Sequence, residues 1–209
     1  MKHYDVLILG AGPNGLVLAN ALKDKGHKVA IFDRYKTPFP TPRAMVFDDQ
    51  SLRILDQFDL YESFSKSLVP EESLFIRTPN NEPLLTVTPG KGSYGYYKWS
   101  TFHQVEFEKY LRNHLAEGIG VDSYFGWEVS SLSDNLECAS LTAKNLDTGK
   151  QIKFDGQYLI GCDGGKSMVR RTMKSDRIDL GYSEDWYVTD THVSDHDYFA
   201  SIPGGAQFY

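Results

Sequence analysis

YDVLILGAGPNG, residues Tyr4–Gly15, runs from a nearly continuous apolar segment straight into a glycine turn. Tyr4–Leu9 has the composition of a short strand covered on both faces in a parallel sheet. From Asn14 to Lys25, residues Leu16, Val17, Leu18, Ala19, Ala21 and Leu22 make one broad helical face, and Gly26 stands where a helix stops. Lys28–Phe32 is a second apolar strand, ending at Asp33. The first 33 residues therefore read as one β-α-β unit, and the fold class as α/β, Rossmann-like.

Within that unit Gly10-Ala11-Gly12-Pro13-Asn14-Gly15 fits G-x-G-x-x-G. The first glycine permits the tight turn, the second lets a pyrophosphate approach the backbone, and the third lets helix pack on strand. The helix N-terminus then offers unpaired N–H groups and partial positive charge to phosphates. Asp33, followed by Arg34, lies at about the 20-residue offset of the acid that holds a ribose diol. Strand, turn, helix, strand and acid agree on a dinucleotide site, while the turn itself does not separate NAD from FAD.

Beyond the unit, Thr37–Arg43 (TPFPTPR) is a proline-punctuated loop, and Phe47–Leu60 resumes helical spacing with Asp48 available as a cap. Leu74–Thr78 and Leu84–Thr88 alternate around Asn80-Asn81 as a hairpin with one buried face. Thr101–Glu117 returns to helix through Val105, Phe107, Leu111 and Leu115. A three-strand antiparallel meander is expected over Trp127–Leu132, Leu136–Leu146 and Gln151–Phe154, then a separate buried strand at Gln157–Gly161 and a helical stretch from Ser167 to Met173. Trp186–Val193 reads as a strand belonging with the earlier hairpin.

Composition narrows the function classes. The 209 residues are 41% hydrophobic and 24% charged, a globular balance, and the net charge of −6 without a long basic block argues against a nucleic-acid partner. No apolar run approaches a membrane span and no signal-peptide core precedes a cleavage site, so a cytoplasmic protein without a membrane partner is expected. Cys138 and Cys162 lie outside CxxC spacing and read as free thiols of a reducing compartment.

A second turn follows the strand at Gly161: Cys162-Asp163-Gly164-Gly165, with Ser167 at a helix start. It offers backbone to hydroxyls and phosphates, or serves as an ordinary strand-to-helix turn in which Asp163 bonds its own backbone. Taken with Gly10–Gly15, Pro42-Arg43-Ala44 before a helix and Phe102-His103-Gln104 opening another, the segment Tyr158–Arg170 (YLIGCDGGKSMVR) resembles the FAD-dependent aromatic hydroxylases related to p-hydroxybenzoate hydroxylase. Within that group the chain looks most like the 3-(3-hydroxyphenyl)propionate hydroxylases, over essentially its whole length.

The resemblance implies a Rossmann-like FAD-binding domain with an inserted antiparallel meander and a partial β-rich substrate domain. Residues 1–72 and 101–180 would form the FAD-binding domain, and 73–100 and 181–209 the substrate side. It implies FAD as cofactor, NADH or NADPH as electron donor, and transfer of an oxygen atom from O2 to a small phenolic substrate, as in catabolism of aromatic compounds. The cofactor-binding set it implies is Gly10, Gly12, Pro13, Asn14, Gly15, Asp33, Arg34, Arg43, Gln104, Asp163, Gly164 and Arg170. Arg43 would lie close to the flavin, Gln104 would hydrogen-bond it, and Asp163, Gly164 and Arg170 would meet the pyrophosphate and ribityl chain. No phenol-activating catalytic residue is carried over, and no pattern specifies an oligomeric state.

The resemblance also marks a departure. Family members continue through more of the substrate-domain sheet and a later Gly-Asp segment, whereas this sequence stops in an apolar-aromatic run at Gln207-Phe208-Tyr209. A C-terminally truncated chain is expected, with little NAD(P)H-dependent hydroxylation by itself.

Other constellations rank lower. Asp190-Thr-His192-Val-Ser-Asp-His196-Asp197 is rich in metal-ligand types, but two histidines four apart on a strand spread away from each other and no HExxH glutamate is present, so no metal is expected. Tyr94, Tyr96, Tyr97 and Trp99 are candidates for an aromatic-substrate pocket or for packing between domains. No nucleophile elbow marks a hydrolase. A NAD-dependent dehydrogenase would share the first turn without needing the Arg43 loop or the second turn, and a non-catalytic nucleotide-binding protein is the remaining alternative.

Overall fold

In the computed structural model, which describes residues 2–71, 73–80, 82–135, 137–185, 194, 197 and 206–208, the apolar run at the start becomes strand β1 (Lys2–Leu9). Helix α1 (Pro13–Asp24) and strand β2 (Val29–Asp33) follow, so the β-α-β unit stands as read. Gly26 has φ +83°, and its left-handed turn halts α1 as its position implied. Alternation along β1 divides the core. Val6 and Ile8 pack with Leu16 and Ala19 of α1 and with Phe107, Leu111 and Leu115 of α4 (Gln104–Ala116). Leu7 and Leu9 join a second cluster on the other side.

That second cluster is closed by the meander. Strands β9 (Trp127–Asp134), β10 (Ala139–Asn145) and β11 (Gln151–Gly161) pair antiparallel, and Val129, Leu141, Ala143 and Phe154 pack with Leu7 and Phe32. Phe32 stacks on Tyr124 at 4.9 Å, and both rings meet Phe154 edge-on, the offset geometry aromatic quadrupoles favour. β1, β2 and β11 continue into one six-stranded sheet with β8 (Val121–Phe125), in the order β8-β2-β1-β11-β10-β9. The β8, β2, β1 and β11 pairings are parallel.

The helix expected after Phe47 is α2 (Asp49–Gln57), capped by Asp48 accepting from the Ser51 N–H at 2.7 Å and burying Leu52 and Leu55. Short α3 (Tyr61–Ser65) adds Phe64 to the same core. A small sheet of β3 (Val46–Phe47), β7 (Ser100–Thr101) and β4 (Val69–Pro70) seats Phe47 on Phe102 at 4.0 Å. The hairpin forms from β5 (Leu74–Arg77) and β6 (Pro83–Val87), with β12 (Ala206–Phe208) parallel to β5. Short α5 (Met168–Thr172) follows β11, with Ser167 capping it through Arg170 N–H. Among the described residues no helix is long and apolar enough to cross a membrane.

Four sequence expectations need correction. Gln151–Phe154 and Gln157–Gly161 are one strand: Gly156 continues the ladder opposite Tyr4 and Ala139, and only glycine fits there because a β-carbon would fall 2.8 Å from Leu7 Cγ. The Gln157–Gly161 half is not buried, Tyr158 being 66% exposed. The hairpin's β6 buries neither face: all five of its residues are exposed, and none of them joins a core cluster among the described residues. Strand β8 went unread, its short VDSYF run holding polar Asp122 and Ser123 between glycine-rich turns. The expected strand Trp186–Val193 and most of the Asp190–Asp197 cluster lie outside the described residues.

Candidate functional site

The carboxyl ends of β1, β2 and β11 open onto one cleft of about 350 Å³, the place where open α/β sheets bind ligands. Gly10, Gly12 and Pro13 line it from the first turn and Asp163 and Gly164 from the second, so the two glycine segments face a common space. The backbone bond from Cys162 N–H to Leu9 O, at 2.7 Å, ties the turns together.

Each glycine of the first turn has its own reason. Gly10 has φ +106°, and a β-carbon on it would sit 2.2 Å from Cys162 O. One on Gly15 would fall 1.9 Å from Gly10 O, whereas one on Gly12 meets nothing within 4 Å. Gly10 and Gly15 thus serve the fold, while Gly12 leaves open space beside the cleft. Gly12 is the N-cap of α1, Pro13 begins the helix, and no side chain caps it. The first-turn donors therefore have no capping side chain.

Asp33 closes the first turn from the end of β2. Its carboxylate accepts the N–H of Ala11 and that of Tyr35, each at 2.8 Å, and it lines the cleft. Arg34 stands beside it, 3.7 Å from Glu128 of β9, an exposed pair worth little in stability. Arg43 lines the opposite rim with its guanidinium 4.7 Å from the Phe39 ring centre. Gln104 lines the cleft as well, but its Oε1 accepts the N–H groups of Arg43 and Ala44 at 2.6 and 2.8 Å.

The second turn carries both of the readings it allowed. Asp163 faces the cleft, and its carboxylate also accepts from the Ser167 hydroxyl and the Met168 N–H, both at 2.5 Å. The first donors of α5 are therefore used internally, and what remains open to a ligand is the Gly164-Gly165 backbone, where added β-carbons meet nothing within 4 Å. Asn14 and Gly15 lie in the first turn of α1 without lining the cleft, and Arg170 turns away to donate to Gly165 O at 3.0 Å. Lys166 and Arg171 line it instead.

Sequence reasoning missed Glu108 and Arg112, which line the cleft one and two turns along α4 from Gln104. The available signal was their i, i+4 spacing on a helix otherwise buried through Phe107, Leu111 and Leu115. Glu108 is buried, which pushes its carboxyl above the ordinary range against the opposing hydrogen bond from Gln104 and the nearby Arg112. Burial likewise lowers Arg112, opposed by Asp33 and Glu108. Cys162 lines the cleft too, its thiol pushed up by burial and then by Asp163.

Of the aromatic cluster, Tyr96 packs edge-on against Tyr61 at 5.0 Å and donates its hydroxyl to Asp56 at 2.6 Å, and Arg53 lies over Tyr94. Those contacts fasten the 91–97 turn to α2 and α3.

A cleft shared by a G-x-G-x-x-G turn, an acid bound to that turn and a second glycine turn is the geometry of a dinucleotide-binding protein. The chain belongs to the FAD binding domain family, whose model matches residues 3–205. It is 30% identical over 189 residues to 3-(3-hydroxy-phenyl)propionate/3-hydroxycinnamic acid hydroxylase of Burkholderia cenocepacia strain HI2424, covering 90% of this chain and 35% of that protein. To the enzyme of the same name from Comamonas testosteroni it is 31% identical over 81% of this chain and 28% of that protein. The chain thus spans about a third of these relatives' length. Its fold matches p-nitrophenol 4-monooxygenase PnpA from Pseudomonas putida DLL-E4, with a TM-score of 0.76 and 20% identity over 83% of this chain and 44% of that one. It also matches the flavin-dependent monooxygenase PieE solved with FAD and substrate, with a TM-score of 0.74 and 22% identity over 82% and 32% of the two chains.

Proposed function

We propose that this chain is the FAD-holding part of a flavin-dependent monooxygenase that hydroxylates a small phenolic ring with O2 and NADH or NADPH. The observation that carries the reading is the single cleft lined by Gly10–Pro13, Asp33, Asp163 and Gly164. The residues fit the cofactor: the open side of Gly12 and the uncapped start of α1 suit a pyrophosphate, and Asp33, already fixed by two backbone N–H groups, keeps lone pairs for a ribose diol.

The chemistry supplied by bound FAD is acceptance of a hydride from the pyridine nucleotide and delivery of one oxygen atom from O2 to the ring. This chain's residues bind and orient. Arg34 and Arg43 flank the cleft with positive charge, and Gln104 fixes the backbone that carries Arg43. Asn14 and Gly15 contribute helix-start backbone, and Arg170 shapes the second turn through Gly165. Residues 1–72 and 101–180 form the FAD-binding part, and 73–100 and 181–209 begin the side that meets substrate; the exposed apolar face of β6, with Leu84 66% exposed, suits that second role. A reducing cytoplasm agrees with the two free cysteines.

The test is a titration of the purified chain with FAD and, separately, NAD. Binding of FAD, with yellow absorbance released on denaturation, is the expected result; binding of NAD alone would move the reading to a dehydrogenase. Oxygen uptake with a phenolic acid and NADH or NADPH, yielding a product heavier by one oxygen atom, tests the hydroxylase part. Little turnover is expected of this stretch by itself, and robust formation of that product would show that it carries the whole hydroxylation.

A further inference from the structure

Between Asp33 and the small sheet the chain crosses the cleft rim in a segment that is almost wholly exposed and has no helix or strand from Arg34 to Met45. Pro38, Pro40 and Pro42 remove every second backbone donor between residues 38 and 42. The prolines stiffen the segment locally but give it no helix or ladder of its own, so its placement on the rim comes from contacts with other elements.

One helix supplies it. Gln104, Glu108 and Arg112 form an i, i+4, i+8 stripe on α4, and all three line the cleft. At one end Gln104 Oε1 accepts the Arg43 and Ala44 N–H groups. At the other, Arg112 donates to Lys36 O at 2.9 Å with its guanidinium 4.1 Å from the Phe125 ring centre. Between them Glu108, 4% exposed, accepts from Gln104 Nε2 at 2.7 Å.

We infer that the stripe is a clasp that pins residues 36–44 over the cleft, and that Glu108 is its positioning residue. An amide has one accepting end and one donating end. By taking the donating end of Gln104, Glu108 turns the accepting end toward Arg43 and Ala44; a rotated amide would set NH2 against two N–H donors. Glu108 also lies within electrostatic reach of Arg112, whose Nε is buried without a hydrogen-bond partner among the described residues. The whole stripe is polar inside a helix face otherwise committed to Phe107, Leu111 and Leu115, a placement that costs burial energy unless it serves this bonding.

The clasp is argued from the protein's own bonds; its consequence for the cofactor rests on the FAD reading above. If the Arg43 side of the rim is held ready, FAD meets an ordered wall and loses less affinity to ordering it.

The experiment compares Glu108→Gln, Glu108→Asp and Glu108→Met by hydrogen exchange of the purified chain without FAD, following peptides over residues 42–47 against β1 and β2. Glu108→Gln keeps the length and an accepting oxygen, and is expected to protect residues 43 and 44 within about twofold of the parent. Glu108→Asp keeps the charge but is one methylene short, and is expected to exchange there roughly five- to tenfold faster with β1 and β2 unchanged, as is Glu108→Met. Tryptic cleavage after Arg43 should accelerate in the same two variants. Parent-like protection in Glu108→Asp, or loss in Glu108→Gln, overturns the proposal; if Glu108→Met does not fold, the Asp and Gln pair decides it. FAD affinity, measured alongside, should fall at least fivefold in Glu108→Asp and hold in Glu108→Gln. No FAD binding by the parent would sink the cofactor reading while the exchange result still judges the clasp.

Discussion

Gly15 lies so close over the Gly10 carbonyl that a β-carbon on Gly15 would stand 1.9 Å from that oxygen. The obstacle is backbone, held in turn by the strand-to-turn bond from Gly10 N–H to Phe32 O at 2.8 Å, so it cannot swing aside. Gly15→Ala is therefore expected to lower the unfolding free energy by about 2–3 kcal/mol in urea denaturation. An unchanged midpoint would show that the turn relaxes.

Gly12 gives the opposite outcome from the same turn. Its φ of −78° suits any residue and a β-carbon meets nothing, so Gly12→Ala should leave stability within about 0.5 kcal/mol. The methyl group occupies space beside the cleft, and FAD affinity should drop roughly tenfold or more. Full affinity in Gly12→Ala would mean that the pyrophosphate lies elsewhere.

Asp33 joins fold and ligand. Asp33→Ala leaves the N–H of buried Ala11 without its acceptor, costing about 1–3 kcal/mol, and removes the acceptor expected to hold a ribose diol. Thermal unfolding should come at lower temperature and the FAD dissociation constant should rise at least tenfold. A variant that loses stability yet binds FAD normally would confine Asp33 to the turn.

The places of Gly10, Gly12, Gly15 and Asp33 on the first turn were legible because spacing along one β-α-β unit fixes them, whereas the press of Cys162 O against Gly10 was not. Non-local features were not. Strand β8 earns its place only by lying parallel to β2, and its five residues carry no strong pattern of their own. Asp155-Gly156 reads as a turn because the approach of Leu7 that makes a glycine useful there comes from β1, some 150 residues earlier. Glu108 and Arg112 went unread, because what they face, the cleft and the 36–44 segment, is brought to α4 only by the fold. Arg170 was reached by motif alone, and its side chain closes on Gly165 while Arg171 lines the cleft.

At the far end of the sheet, the Tyr4 hydroxyl donates to Asp122 and lies 3.0 Å from the Tyr124 hydroxyl. That bond, opposed by partial burial and helped by Lys2, holds the Asp122 carboxyl below its ordinary 3.8, while burial and then Asp122 raise the Tyr4 hydroxyl. The unfolded chain binds a proton at Asp122 before the native one does, so this contribution is complete above pH 3.8 and is lost as pH falls through the lower native value. Asp122→Asn should flatten that part of the acid limb of a stability–pH curve; an identical acid limb would remove Asp122 from the account.

Cys162 offers a chemical probe of the cleft. Its thiol, raised by burial and by Asp163, should alkylate more slowly with iodoacetamide near neutral pH than Cys138 does. Added FAD should slow Cys162 further and leave Cys138 unchanged, as read by mass spectrometry of the two peptides. Equal protection of both thiols would point to general stabilisation rather than occupancy of the cleft.

The most direct test of two turns holding one cofactor is hydrogen exchange across the chain with and without saturating FAD. The segments 10–16 and 163–168 should both gain protection, with the same dependence on FAD concentration. Protection confined to one of them while FAD is bound would contradict the shared site.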